Sequence, residues 1–143
     1  MKRKVITLST IAQQQFCDIT AEAQSFITKN RVKSGIFTVK TLNTTTAIYI
    51  NENEQGLLQD LQEFLLRIVP NNYPYHHDMR LNDNERRNGF AHLQSIVLNN
   101  GVTLSIIDGQ ITLGTYQSIL FLELDGPRAN RQLELLIYDE ELQ

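Results

Sequence analysis

The chain has a single cysteine, Cys17, no tryptophan and only three prolines in 143 residues. A lone thiol cannot close an internal disulfide, so the fold must be held by burial, and such usage suits a reducing compartment. Long apolar runs are missing as well. The segment MKRKVITLSTIAQQQF starts basic, but Gln13, Gln14 and Gln15 interrupt it before a signal-peptide core or a membrane span is complete. Nor is there surplus positive charge. With 13 Lys and Arg against 16 Asp and Glu the formal net charge is -3, which gives no global attraction to nucleic acid or to an anionic membrane. The sequence lacks a Walker A loop, a dinucleotide fingerprint, a GxSxG elbow and a CxxC pair, and it has no repeat or low-complexity linker. These absences point to a cytoplasmic chain folding as one domain over residues 1–143, with neither nucleic acid nor membrane as a partner.

What is present is ordinary globular material, 41% hydrophobic and 20% charged, in a chain long enough to bury about two thirds of its unfolded surface. Val5 to Ser9 is rich in β-branched residues and reads as a strand. Thr20 is placed to cap a short helix that turns Ala23, Phe26 and Ile27 inward. SGIFTVKTL and TTTAIYIN read as two further strands. After NENE, residues Leu57, Leu58, Leu61, Phe64, Leu65 and Ile68 recur at helical spacing, with Asn51 or Asn53 as cap and Pro70 as stop. Asn88 to Leu98 reads as another helix with Phe90, Leu93 and Val97 on one face. VTLSIIDGQITL carries Asp108-Gly109, the pair a two-residue type I′ hairpin prefers because both positions tolerate positive φ. SILFLEL and RQLELLIY complete the strands. Hairpins with two to three helices inserted between them predict an α+β fold with a mainly antiparallel, sandwich-like sheet. On the blandest reading the protein is an interaction scaffold, in which strands with alternating apolar residues, such as Ser118 to Leu124, would bury their outer face against a neighbouring subunit.

The chemistry concentrates in YPYHHDMRLNDNERRNGFAHL, Tyr73 to Leu93, which contains all three histidines. In an extended segment neighbours point to opposite sides, so only one of His76 and His77 can meet His92. Two imidazoles are too few for a closed zinc site, although Asp78, Asp83 or Glu85 could add an oxygen ligand. Loop histidines satisfied by hydrogen bonds are the plainer alternative. Arg86, Arg87, Arg128 and Arg131 are the best anion binders, because a guanidinium fork matches phosphate oxygens. Asn88 and Gly89 open the predicted helix beside two of them, where free backbone N–H groups favour an anion. Solvated arginines balancing Asp83 and Glu85 are the alternative there. In NTTT and LGTYQ, the hydroxyls of Thr44 to Thr46 and the amide of Gln117 could orient a substrate, although threonine is also simply a good strand residue.

NTTTAIYINENE from Asn43, YPYHHD from Tyr73, NGFAHL from Asn88 and LGTYQSILFLELDGPR from Leu113 resemble, in order, the signature blocks of the YjbQ family. The resemblance implies an α+β sandwich subunit, a homotrimer, a polar pocket near subunit contacts, and activity of the kind described as secondary thiamine-phosphate synthase. It gives weight to His77, Asn88, His92, Gln117 and Arg128, and to Glu52 and Glu123. One departure stands out: the family's first block typically reads His-Thr-Thr-Ala, whereas this chain has Asn43 and Thr46 at the outer positions. A milder one is Tyr116 where tryptophan is common. On this reading His77, His92 and Gln117 are the catalytic candidates, and Asn43, Thr44, Arg87, Asn88 and Arg128 hold a small phosphorylated or anionic metabolite. Mg²⁺ would accompany a diphosphate substrate, or a divalent metal such as Zn²⁺ would sit at His77 and His92. The alternative reading is a non-catalytic homotrimer that binds an anionic metabolite.

Overall fold

The computed structural model describes residues 1–79 and 86–140. Two antiparallel sheets are built from eight strands: β1 (Lys2–Leu8), β2 (Gln15–Asp18), β3 (Gly35–Thr41), β4 (Thr46–Asn51), β5 (Gly101–Ile107), β6 (Gln110–Ile111), β7 (Ser118–Glu123) and β8 (Arg131–Asp139). The larger sheet has the order β1-β8-β3-β5-β6 and the smaller the order β2-β7-β4. Among the described residues, three full helices, α1 (Thr20–Lys29), α2 (Gln55–Ile68) and α4 (Gly89–Val97), and one helical turn, α3 (His76–Met79), alternate with the strands along the chain. The α+β, mainly antiparallel architecture expected from the hairpin order is the one found.

Two apolar cores result from how the central strand β7 is covered. Ile119 and Phe121 point into one, with Ile27, Phe37, Ile48, Leu133 and Leu135. Leu122 and Leu124 point the other way, against Leu65 of α2 and Phe90 and Ala91 of α4. The outer face expected to pack on a second subunit is thus already buried within one chain, because helices cover it. Period-two alternation cannot tell a strand buried by a neighbour from one buried by its own helices.

Helix faces were misread in a similar way. On α4 the buried residues are Phe90, Ala91, Gln94 and Ser95, whereas Leu93 and Val97 are exposed. On α2 only Leu65 is fully buried, and the cap is Glu54, whose carboxylate accepts the N–H groups of Gly56 and Leu57 at 2.8 and 2.7 Å. The hairpin at Asp108-Gly109 forms as the sequence implies, with φ of 51° and 78°. No helix among the described residues is long and apolar enough to cross a membrane.

Candidate functional site

Two turns and two helical segments meet where the two sheets end. β7 delivers Asp125 two residues beyond its last residue, the turn before β8 delivers Arg128, and the turn between β3 and β4 delivers Asn43 and Thr44. α3 contributes His77, and α4 contributes His92 with Asn88 at its N-cap.

Asn88 holds the group together. An asparagine at this position ordinarily caps the helix with its own side chain, yet here it makes no capping bond. Asp78 does that work instead, its Oδ1 accepting the Gly89 N–H at 2.9 Å. The amide of Asn88 is left to donate from Nδ2 to Asp125 Oδ2 at 2.8 Å and to meet His77 Nε2 with Oδ1 at 3.2 Å. An ionised carboxylate only accepts, so Nδ2 must face Asp125 and Oδ1 must face the imidazole. His77 therefore carries its proton on Nε2, and in the neutral ring Nδ1 keeps its lone pair. The His92 ring lies 4.6 Å from that of His77, centroid to centroid, with a 59° tilt.

Charge is arranged around Asp125, which is 6% exposed. Arg86 Nη1 approaches Oδ1 at 3.1 Å and Arg128 Nη2 approaches Oδ2 at 2.8 Å, while both guanidiniums also donate to its main-chain carbonyl. Burial by itself would raise this carboxyl, but the hydrogen bonds from Asn88 and Arg128 and the charges of both arginines outweigh it and hold the pKa below the ordinary value. His92 is shifted down too. Burial and the neighbouring His77 both disfavour its cation, against weaker opposing pulls from Asp125 and Asp78, so the ring is neutral at pH 7.

A cleft of about 530 Å³ opens beside His92, lined also by Asn43, Thr44, Ser95, Leu98 and Asn99. A second hollow of about 400 Å³ lies on the other side of His92, against Tyr75, His76, His77, Gly89 and Leu93. Asn43 does not present an acceptor to the cleft. Its Oδ1 takes the Gln132 N–H at 2.9 Å, and since a backbone N–H must face oxygen, the NH₂ group is what remains for a ligand.

Of the residues singled out in the sequence, His77, Asn88, His92 and Arg128 are thus brought together, with Asn43 and Thr44 across the cleft. His76 is exposed and reaches only the second hollow. The segment is a helical turn rather than extended, but a step of about 100° separates neighbours as effectively. Arg87 directs Nη1 to the Asp78 carbonyl at 3.2 Å. Gln117 lies elsewhere: it closes its own turn, with Oε1 accepting the Gly114 N–H at 2.8 Å, at the start of β7. Eight residues of extended chain, about 26 Å, separate it from Asp125. Asp125 is not among the residues singled out, because Asp-Gly-Pro in the sequence signals a turn and nothing more. Among the described residues no three His, Cys, Asp or Glu side chains are grouped so as to hold a metal ion. Asp83 and Glu85 lie outside the described residues. His77 Nδ1 and the His92 ring are then two nitrogen donors, one short of the three protein ligands of a catalytic zinc centre.

A comparison with known sequences matches residues 4–140 to the family described as UPF0047 protein YjbQ-like. The chain belongs to the YjbQ family. A UPF0047 protein of Archaeoglobus fulgidus is 41% identical over 126 residues, spanning 88% of this chain and 94% of that protein. The UPF0047 protein YugU of Bacillus subtilis is 31% identical over 125 residues, 87% and 91% of the two chains. In three dimensions the chain resembles the crystal structure of a YbjQ-like protein of unknown function from Sulfolobus solfataricus, with a TM-score of 0.90, 29% identity and 97% of each chain covered. A YjbQ family protein of Clostridium acetobutylicum gives a TM-score of 0.85 at 29% identity, covering 94% of this chain and 99% of that one. The YjbQ fold is therefore shared over its whole extent.

Proposed function

We propose that this YjbQ chain is an acid-base enzyme acting on a small phosphorylated metabolite in the cytoplasm, and that its reaction is of the thiamine-phosphate synthase type. The observation that carries this reading is the ordered line Asp125, Asn88, His77, in which a hydrogen bond fixes each group on the next, with the His92 ring packed against that of His77. Asn88 is withheld from helix capping to make it. In the condensation, the bond between the pyrimidine methylene and its diphosphate breaks with both electrons leaving on diphosphate, and the thiazole nitrogen supplies the pair for the new C–N bond. The lowered basicity of His92 suits such a centre, because a developing cation beside imidazolium would be repelled. His77 Nδ1 is placed to take a proton from the exocyclic amine of the pyrimidine as diphosphate departs and to return it once the C–N bond has formed, Arg86 and Arg128 face the leaving diphosphate, and the amide NH₂ of Asn43 donates to a ring nitrogen or carbonyl. Mg²⁺ would arrive with the diphosphate rather than reside on the protein.

The reaction is assayed with the pyrimidine diphosphate and the thiazole phosphate, reading thiamine phosphate. His92→Ala, a change on a half-exposed helix position, should abolish turnover without changing the circular dichroism. Undiminished turnover would remove His92 from the mechanism.

A specific observation favours a second reading. Asn43 stands where relatives resembling this chain typically place histidine, and its oxygen is tied to Gln132, which suits a homotrimer that binds an anionic metabolite without turning it over. In a trimer a neighbour's Gln117, its Oε1 kept in its own turn, would have the amide NH₂ to offer the site. Thermal stabilisation by inorganic pyrophosphate without product formation would select this reading, and an absence of both would reject the two together.

A further inference from the structure

Beneath the site, out of contact with solvent, lies a second ionic group. Glu123 is 0% and Arg131 6% exposed. Arg131 Nε donates to Glu123 Oε1 at 2.8 Å and its Nη2 to Oε2 at 2.6 Å, a two-point fork. Neither side chain reaches the cleft. What they do reach is the backbone and hydroxyls of the segments that carry the site. Glu123 Oε2 also accepts the N–H groups of Leu124 and Asp125, at 3.1 and 3.3 Å, and Oε1 accepts the Thr10 hydroxyl at 2.7 Å. The Thr10 hydroxyl oxygen in turn accepts the Arg128 N–H at 3.0 Å. On the other side, Arg131 Nη2 donates to Thr45 Oγ1 at 2.8 Å, in the turn that presents Asn43 and Thr44. The next residue, Gln132, donates its N–H to Asn43 Oδ1.

We infer that Arg131, held by Glu123, is a positioning residue that sets the turn carrying Asn43 and Thr44 against the turn carrying Asp125 and Arg128. The inference rests on the site reading given above, though not on the identity of its substrate. A buried ion pair is a poor stabiliser, since removing two charges from water offsets most of their attraction. Its geometric content is larger. Only a planar fork with several N–H donors can hold both carboxylate oxygens and a hydroxyl in another turn at fixed angles; a lysine ammonium is a point charge on a flexible stem. Through Glu123, that fork fixes the start of the turn whose Asp125 orients Asn88 and hence His77.

The test compares Arg131→Lys, Thr45→Val and the double variant Glu123→Leu with Arg131→Met, reading three quantities: thermal unfolding, the ¹⁵N imidazole spectra of His77 and His92, and the dissociation constant for inorganic pyrophosphate. The double variant removes both charges together, so no lone charge is buried. We expect Arg131→Lys and the double variant to fold, to lose the single Nε2–H tautomer of His77 for a mixture, and to bind pyrophosphate about tenfold more weakly. Thr45→Val, which cuts only the bond to the Asn43 turn and is nearly isosteric, should shift the Asn43 side-chain amide and His92 while leaving the His77 tautomer intact. Folded variants with an unchanged His77 tautomer would overturn the inference and leave the pair as core packing. If both Arg131 variants fail to fold, Thr45→Val decides alone: unchanged Asn43 and His92 resonances overturn it. The imidazole spectra need no ligand, so wild-type protein that ignores pyrophosphate would sink the function proposed above without touching this one.

Discussion

Asp125 occupies both guanidiniums that the proposed function assigns to an anion, and so Asp125→Asn should tighten anion binding while impairing catalysis. With Arg86, Arg128 and Asp125 ionised the group carries a net charge of +1, and the amide raises it to +2. A phosphate seated on the outer faces of the guanidiniums would lie about 6 Å from the Asp125 carboxylate. Their repulsion is then about 0.7 kcal/mol per unit charge at the dielectric of water and about 3 kcal/mol at an effective dielectric of 20. The arginine side chains are 46% and 37% exposed, which places the answer near the watery end, about 1 to 1.5 kcal/mol, or five- to tenfold in affinity. Calorimetric titration with inorganic pyrophosphate measures it directly. The gain should shrink in high salt, where the screening length falls from about 8 Å to about 3 Å. Melting temperature is the wrong readout. Exchanging charge-assisted bonds for neutral ones costs about 1 to 3 kcal/mol, so the variant melts lower whatever it binds. Equal or weaker pyrophosphate affinity at low salt would refute the electrostatic account and would mean that Asp125 serves the anion only by holding Asn88 and the arginines in place.

The downward shift of His92 has its own consequence for stability. An imidazole harder to protonate in the folded than in the unfolded chain contributes stability that is fully present above the unfolded value, about 6.5, and is lost as pH falls through the folded one; melting should begin to drop below about pH 6.5 in wild type and less so in His92→Gln. Carboxylates held low, such as Asp125, act by the same sign in a more acidic window, below about pH 4, so the two contributions separate in a pH series of melts. At the junction of α3 and α4, a Cβ on Gly89 would stand 2.9 Å from Tyr75 Cβ and 3.2 Å from Asp78 Oδ1. Gly89→Ala should therefore cost about 1 to 3 kcal/mol in denaturant unfolding and displace His77, seen as a changed imidazole spectrum; an unchanged spectrum with unchanged stability would show that the junction yields freely.

Elements were legible in the sequence where local chemistry and tertiary context agree. The α2 segment has a strong helical period and a proline stop, the Asp108-Gly109 turn has residues that tolerate its dihedrals, and β3, β4, β7 and β8 are dense in β-branched and aliphatic residues. Faces were less legible. Leu57, Phe64 and Ile68 share the apolar period of α2 and yet remain partly exposed, because the period identifies a stripe without saying which of two adjacent stripes meets the sheet. β2 was missed: it is four residues long, with one glutamine and one aspartate, and exists because β7 offers it a partner. Of the site, the titratable side chains, Glu123 and Arg131 included, were visible as residue types, whereas Asp125 and the pairing of Glu123 with Arg131 were not. Their significance lies in partners far away in the chain: Asp125 meets Asn88 across 37 positions and Arg131 meets Thr45 across 86.

The residues that mark the site are best recognised by the local duties they decline. Asn88 stands at a helix N-terminus without capping it, so Asp78 must, and burying Asp78 for that purpose pins α3 to α4 and sets the distance between His77 and His92. Asn43 lies in a turn where its side chain might have closed its own loop, but grips the main chain at Gln132 instead. In both cases a polar group is satisfied at long range when a short-range partner was available. That choice lowers the freedom of the segment it belongs to and costs conformational entropy, which packing alone gives no reason to incur. A ligand that needs the imidazole pair and the two amides in fixed relation does give one. Gln117, satisfied within its own turn, fails the same criterion in a single chain, and so it is the candidate whose role depends most on a second copy of the protein.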